Sequence, residues 1–423
     1  MNKNQIISQR LSLLKNEVNL AKNGTETVEA FWNEIRSKGT PLIEPHPHSS
    51  DQSLVTFLWE GSQETKNVVI VSNIADFDLT KAKMSKIDGT NIWFRTYEVR
   101  NDLRTTYQIS PNDPLKSLEE LSENKDWDGI KSLTKNWQRD PKNPLTLIFP
   151  ALKSDPELKV SIVELPKAPT QPWIKKQPHV KSGSIERHSI KSEILKNERD
   201  VWIYKPHGYS STGNPYPLLL VFDGEAYTNV VPTPTILDNL ISSKKIPPVV
   251  GVFVSSLKMP VRNQELPCYP PFLSFLKDEL IPWFSENLNL SKDPSQRIVA
   301  GSSYGGLAAG YVAYSCPDQF GCVLSQSGSF AWRSDPSKES GWLIRQFAIS
   351  PKLPIKFYLE AGLLERHYFA ESDGSILNVN RHMRNVLQAK GYELTYHEFC
   401  GGHDYVCWRG SLADGLMSFI GIQ

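Results

Sequence analysis

The stretch Ile298-Val299-Ala300-Gly301-Ser302-Ser303-Tyr304-Gly305-Gly306-Leu307-Ala308-Ala309 reads as a strand, a tight turn and the start of a helix, with Ser303 central in a G-x-S-x-G sequence. Such a turn forces its serine into a strained backbone conformation, and glycines beside it let strand and helix pass closely. The helix N-terminus then aims its dipole and the Tyr304 backbone N–H at an oxyanion developing beside the serine. The chemistry on offer is acyl transfer through a covalent serine ester. Three fixed letters also suit a plain Gly/Ser loop; the strand before them and the small-residue helix after them favour the nucleophile turn.

A nucleophilic serine needs a base and an orienting acid, in the chain order Ser, acid, His for this kind of sheet. Among nine histidines, His403 is singled out by position: Gly401-Gly402-His403-Asp404 follows the strand Glu393–Phe399 and precedes the last helix. For the acid, Glu365 sits just past the strand end in Phe357-Tyr358-Leu359-Glu360-Ala361-Gly362-Leu363-Leu364-Glu365. Glu360 competes from within the strand, and Asp373 and Asp404 rank behind both. A second oxyanion donor is expected from the turn Phe222-Asp223-Gly224-Glu225, as the backbone N–H of Glu225, with the Asp223 side chain bracing the turn. No H-E-x-x-H, Walker A or EF-hand pattern occurs, and His46-Pro47-His48 reads as a solvated loop. No metal and no cofactor are expected.

These residues need a scaffold. Leu218–Phe222, Val249–Val254, Arg297–Ala300 and Ile355–Leu359 are apolar runs alternating with helical patterns such as Phe272–Trp283 and Asn378–Lys390, the latter closed by Gly391. That alternation predicts an α/β domain with a mostly parallel sheet covered on both faces over residues 184–423, with Ile190–Leu195 and Arg199–Lys205 as paired strands. Residues 166–183, rich in Pro and Lys, can form neither a regular helix nor a central strand and read as a linker. Before it, residues 4–36 carry helical spacing ending at Phe31-Trp32. The period then falls to two around Val55, Phe57 and Trp59, with further strands at Val68–Val71, Ile92–Glu98 and Thr105–Ile109 and a turn at Asp88-Gly89. A helical lead-in and a β-sandwich over residues 1–165 follow.

Whole-chain composition agrees. With 423 residues the chain holds about two to four domains. Lys+Arg of 47 against Asp+Glu of 46 leaves a formal charge of +1, which argues against general nucleic-acid or anionic-membrane binding. No apolar stretch is long enough to cross a bilayer, and the first residues lack the apolar core of an export signal. Five cysteines, an odd count without a CxxC pair, read as free thiols in a reducing cytoplasm. Oligomeric state is not fixed by any of this.

Asp223-Gly224-Glu225, Gly301-Ser302-Ser303-Tyr304-Gly305-Gly306, Leu359-Glu360-Ala361-Gly362 with Glu365, and Gly402-His403-Asp404 followed by Cys407-Trp408-Arg409-Gly410 resemble the enterochelin (ferric enterobactin) esterases. Trp59-Glu60-Gly61, Asp88-Gly89-Thr90-Asn91-Ile92-Trp93, Arg104-Thr105-Thr106-Tyr107, Asp140-Pro141-Lys142-Asn143-Pro144 and Ala168-Pro169-Thr170-Gln171-Pro172-Trp173 extend the likeness from about residue 53 to the end. The resemblance implies a cytoplasmic hydrolase with an immunoglobulin-like N-terminal module and an α/β-hydrolase domain. It implies cleavage of the seryl esters of cyclic catecholate siderophores, so that iron is released, by Ser303, His403 and an acid at Glu365.

A ferric tris-catecholate is a bulky trianion with aromatic faces, which calls for arginines and aromatic rings. Arg262, Arg333, Arg366 and Arg409, with Trp332, Tyr304 and Trp408, are the candidates, two of the four arginines being expected to face the ligand. Arg262 followed by Glu265-Leu266 also fits the family, whereas Tyr269-Pro270-Pro271 and Cys400 depart from it. The competing readings are an esterase for another cyclic depsipeptide lactone or aryl acyl ester, and a non-catalytic binding protein with this fold.

Overall fold

The computed structural model describes residues 8–21, 23–75, 79–116, 120–121, 126–151, 156–335, 337–366 and 375–422. It divides into two compact units: one holds the chain up to Pro169 together with Cys400–Val406, and the other runs on from Thr170.

The first unit opens with two helices, Gln9–Leu20 and Gly24–Lys38, capped by the side chains of Ser8 and Asn23. Their apolar faces (Leu11, Leu14, Phe31, Trp32, Ile35) pack on Leu58, Ile87, Ile92 and Phe94, and the Trp32 indole N–H donates to Asn91 Oδ1 at 2.9 Å. The strands are β1 (Leu42–Pro45), β2 (Gln52–Glu60), β3 (Val68–Ser72), β4 (Ser85–Lys86), β5 (Ile92–Arg100), β6 (Arg104–Pro111), β7 (Thr146–Phe149) and β8 (Leu158–Glu164). They form two four-stranded antiparallel sheets, ordered β1-β2-β5-β4 and β3-β6-β8-β7. Phe57 of β2 meets Tyr107 of β6 with ring centroids 4.6 Å apart, so the two sheets face each other. The Asp140–Pro144 segment reaches in beside them: Tyr107 Oη donates to Asp140 Oδ2 at 2.8 Å and accepts from Asn143 Nδ2 at 3.0 Å. The Asp88-Gly89 turn joins β4 to β5 with Gly89 at φ 71°, as its sequence predicts. A helix at Trp127–Thr134, between β6 and β7, was not foreseen.

In the second unit, β9 (Ser184–Ser192), β10 (Asn197–Lys205), β11 (Leu218–Phe222), β12 (Val250–Val254), β13 (Arg297–Ser302), β14 (Cys322–Gln326), β15 (Lys356–Gly362) and β16 (Glu393–Phe399) form one sheet. Its order is β16-β15-β14-β13-β11-β12-β10-β9; the six strands from β11 onward are mutually parallel, and β9 and β10 are antiparallel at one edge. Strands covered on both faces must be apolar throughout, and β11, β12, β13 and β14 are buried at every residue. From β11 the chain steps to β12 on one side, then crosses to β13 on the other. The carboxyl ends of β11 and β13 are therefore a topological switch point, where an α/β sheet leaves a crevice for a ligand.

The amphipathic run expected as one helix at Phe272–Trp283 is divided: Pro270–Ser274, a wider π turn at Phe275–Leu280, then Ile281–Asn287. Pro282 has no N–H for the carbonyl one turn back, and the extra residue in the turn accommodates it. The apolar face survives, with Phe272, Phe275, Leu276, Leu280 and Phe284 all buried.

Candidate active site

Ser303 follows β13 and precedes the helix Tyr304–Ser315, at φ 57° and ψ −123°. A side chain other than glycine resists this region, so the surroundings must hold it there. A Cβ at Gly301 would stand 2.5 Å from the Gly305 carbonyl carbon, and one at Gly306 2.5 Å from Ser325 Oγ. The Ser303 N–H donates to Gln326 O at 3.0 Å, while its carbonyl accepts from Ser329 N–H at 3.0 Å and Leu307 N–H at 3.1 Å. Its hydroxyl lies 3.2 Å from Ser329 Oγ. The backbone of Ser303 is thus held from both neighbouring chain segments, and its side chain leaves at the switch point.

Across that point, Asp223 ends β11 in the left-handed region at φ 57° and opens the short helix Gly224–Asn229. Arg262 grips its carboxylate with both arms of the fork, Nε to Oδ1 at 2.6 Å and Nη2 to Oδ2 at 2.7 Å. Asp223 therefore braces the turn, as the sequence predicts, and Arg262 is its partner. Glu225, whose backbone N–H is the expected second oxyanion donor, takes a hydrogen bond from the Ser255 hydroxyl through its carboxylate. Burial pushes the Glu225 carboxyl above its usual range, against the pull of Ser255.

Of the candidate acids, Glu365 sits past the end of β15 and is 2 % exposed; Gly362 N–H donates to its Oε2 at 2.8 Å. Glu360 lies inside β15 with its Oε1 accepting from Gln326 Nε2 at 3.0 Å and Ser411 Oγ at 2.6 Å. Asp373 lies outside the described residues. Asp404 belongs to the Cys400–Val406 segment of the first unit, where its Oδ2 accepts from Thr106 N–H at 2.7 Å, Thr106 Oγ1 at 2.5 Å and Thr105 Oγ1 at 3.4 Å. His403 is on the same segment, its backbone N–H donating to Asn73 Oδ1 at 3.3 Å, and a Cβ at Gly402 would overlap the Asn73 side chain. Glycine is required there for that close approach.

Comparison with known proteins adds to this geometry. Residues 192–419 match the family described as "Putative esterase", and residues 54–174 match the one described as "Enterochelin esterase, N-terminal". The iron(III) enterobactin esterase of Escherichia coli K12 is 30 % identical over 86 % of this chain and 90 % of its own length. That of Dickeya dadantii is 29 % identical over 92 % of each. The enterobactin esterase of Shigella flexneri, crystallised in the presence of enterobactin, superposes with a TM-score of 0.73 at 29 % identity, covering 92 % of this chain and 97 % of its own. The chain belongs to the enterochelin esterase family.

Within this enterochelin esterase chain, the residues expected at a ligand face divide. Trp408 is a correction: it is 2 % exposed, with its indole N–H donating to Ser327 Oγ at 3.1 Å, so its ring is core beneath the strand ends. Trp332 is half-buried and packs edge-on against Trp342 at 5.9 Å. Arg409 Nε donates to Gln171 Oε1 at 2.9 Å, Arg333 Nη1 to Lys338 O at 3.2 Å, and Arg366 is exposed. The Arg262 guanidinium lies 6.0 Å from the Tyr304 ring centroid.

His46 is accounted for without a metal: Nε2 pairs with Glu98 Oε1 at 2.9 Å and Nδ1 accepts from His48 N–H at 3.1 Å. Among the described residues no group of His, Cys, Asp and Glu could hold a metal ion, and no helix is long and apolar enough to cross a membrane. Ser329, Gln326 and Ser255 were missed. Their one sequence signal is position, at the end of β14 and on the turns that leave β14 and β12.

Proposed function

We propose that this protein is a serine esterase that hydrolyses the seryl ester bonds of a cyclic catecholate siderophore, such as ferric enterobactin, so that the carried iron is released. The likeness to iron(III) enterobactin esterases along most of the chain carries the substrate assignment. In this reading Ser303 attacks the ester carbonyl, His403 takes its proton, and Glu365 holds the imidazole tautomer. The backbone N–H groups of Tyr304 and Glu225 receive the oxyanion. The strained backbone and glycine contacts of Ser303 support the nucleophile, and the burial of Glu365 beside a donating N–H supports a carboxylate kept for one partner. Arg262, Arg333, Arg409 and Trp332 are proposed for the anionic, aromatic ligand, Arg262 while it also holds Asp223.

The first unit is read as an immunoglobulin-like sandwich, supported by its two facing antiparallel sheets. The division after Pro169 falls inside the Pro/Lys-rich segment and supports residues 166–183 as the connection between domains. The free, buried thiols of Cys268, Cys316 and Cys322 support a reducing cytoplasm.

A mass-spectrometric time course with iron-loaded and iron-free enterobactin, with Ser303→Ala as control, tests the reading. Linear trimer, dimer and monomer are expected with the wild type and not with the control. An unchanged macrocycle overturns the substrate, and continued cleavage of simple aryl esters would then direct the search to other lactones.

A further inference from the structure

Past β14 the chain turns through Ser327, at φ 51°, and Gly328 into Ser329. Three elements fix this turn. Ser327 N–H donates to Glu360 O at 2.9 Å, Trp408 Nε1–H to Ser327 Oγ at 3.1 Å, and Asn380 Nδ2–H to Gly328 O at 2.8 Å. A Cβ at Gly328 would stand 2.5 Å from Ser325 Oγ, so only glycine lets the turn close. Out of it, Ser329 reaches Ser303 twice, by backbone N–H to the carbonyl at 3.0 Å and by hydroxyl to hydroxyl at 3.2 Å. Both side chains are buried, so this contact has little competition from bulk water.

We propose that Ser329 is a further catalytic residue, whose hydroxyl donates to Ser303 Oγ; this rests on Ser303 being the nucleophile. A serine oxygen has one proton and two lone pairs. If Ser303 donated to Ser329, its proton would be directed away from the base. With Ser329 donating, the Ser303 proton passes to the base while Ser303 Oγ forms the bond to the carbonyl carbon and the carbonyl electron pair moves onto oxygen. Return of that pair breaks the bond to the substrate alkoxide, which leaves with the proton from the base. Ser329 keeps its own proton throughout. Its O–H points at the oxygen that gains negative charge as the proton leaves, and again when Ser303 is expelled in hydrolysis of the acyl ester. A hydrogen bond to a charge-bearing oxygen is stronger than one to a neutral hydroxyl, so the contact favours the transition state over the resting state.

The test compares wild type, Ser329→Ala and Ser329→Thr. The rate of Ser303 labelling by a fluorophosphonate is followed by mass spectrometry, beside kcat and KM for p-nitrophenyl butyrate and a thermal melt. For Ser329→Ala, labelling and kcat are expected to fall roughly ten- to hundredfold, with KM and melting temperature held and Ser329→Thr recovering much of the rate. Unchanged labelling of a folded Ser329→Ala protein overturns the proposal. So does an equal loss in both variants alongside a lowered melting temperature, which would make Ser329 a packing residue. A wild type labelled elsewhere than Ser303 sinks the nucleophile reading itself, a result separable from both.

Discussion

Glu360 inside β15 and Glu365 just past its end sit in different surroundings. Burial pushes the Glu360 carboxyl from the usual 4.5 up to about 8, against the Ser411 hydroxyl and the Gln326 amide, while the negative charges of Asp414 and Glu365 add to the push. The same Gln326 accepts from Tyr227 Oη at 2.7 Å, donates to Trp408 O at 2.9 Å and receives the Ser303 N–H on its backbone oxygen. Glu360 is thus the buried anchor of a polar network below the nucleophile turn. Its folded-state pKa is raised, so between about 4.5 and about 8 the folded chain keeps a proton that the unfolded chain has released. Its contribution to stability is therefore complete below the lower value and lost as pH climbs to the upper one. Glu360→Gln imitates the neutral acid at every pH, so it should gain on the wild type as pH rises through that window. Thermal melts of both proteins across it check this, and parallel curves would sink the idea.

One turn of the helix Met259–Glu265 carries two ion pairs that fix the wall of the crevice. Arg262 holds Asp223 at the end of β11, and Glu265 holds Arg199 of β10 at 2.6 Å, with the guanidinium 4.9 Å from the Phe275 ring centroid. These are the Arg and Glu of the Arg262–Leu266 pattern; the spacing of three puts both on one helix face, each reaching a different strand. Arg199 is wholly buried, so Glu265→Ala leaves a guanidinium without its counter-charge. A loss of about 3–5 kcal/mol is expected in urea unfolding, and Arg199→Met with Glu265→Leu should restore much of it. A single variant as stable as wild type would refute the account.

The same elements show what a sequence discloses. β11 and β12 were legible because strands covered on both faces are unbroken apolar runs. β14, Cys322–Gln326, ends in Ser325 and Gln326, whose polarity interrupts that signal, and the Gln326 amide serves the site network. The strained turn at Ser303 was legible because it imposes glycines around it. Ser329 was not, because its role depends on two strands that are adjacent only in space.

At the scale of the whole molecule, the segment that carries the candidate base is built into the N-terminal unit. The chain of the second unit ends β16 at Phe399; Cys400–Val406 then belongs with β6, and the last helix returns to the second unit. Arg104 N–H donates to Cys400 O at 3.0 Å, Thr105 and Thr106 close on Asp404, and Phe149 meets the Tyr405 ring at 5.9 Å. The Asp404 carboxylate also accepts from Val406 N–H at 3.0 Å, so one side chain ties the later end of the His403 turn to β6. The Asp404 carboxylate thus joins the His403 turn to Thr105 and Thr106. Within the N-terminal unit these contacts set where the backbone of His403, the base proposed above, stands. With His403 as the base proposed above, Asp404→Ala should leave circular dichroism and the Ser303 turn intact yet lower kcat roughly ten- to hundredfold. Asp404→Asn, which keeps one oxygen acceptor, should lose less. Thr106→Val, altering only the N-terminal side of the contact, should lower kcat in the same direction. If Asp404→Ala and Thr106→Val both turned over substrate at the wild-type rate, the N-terminal unit would have no part in placing the base.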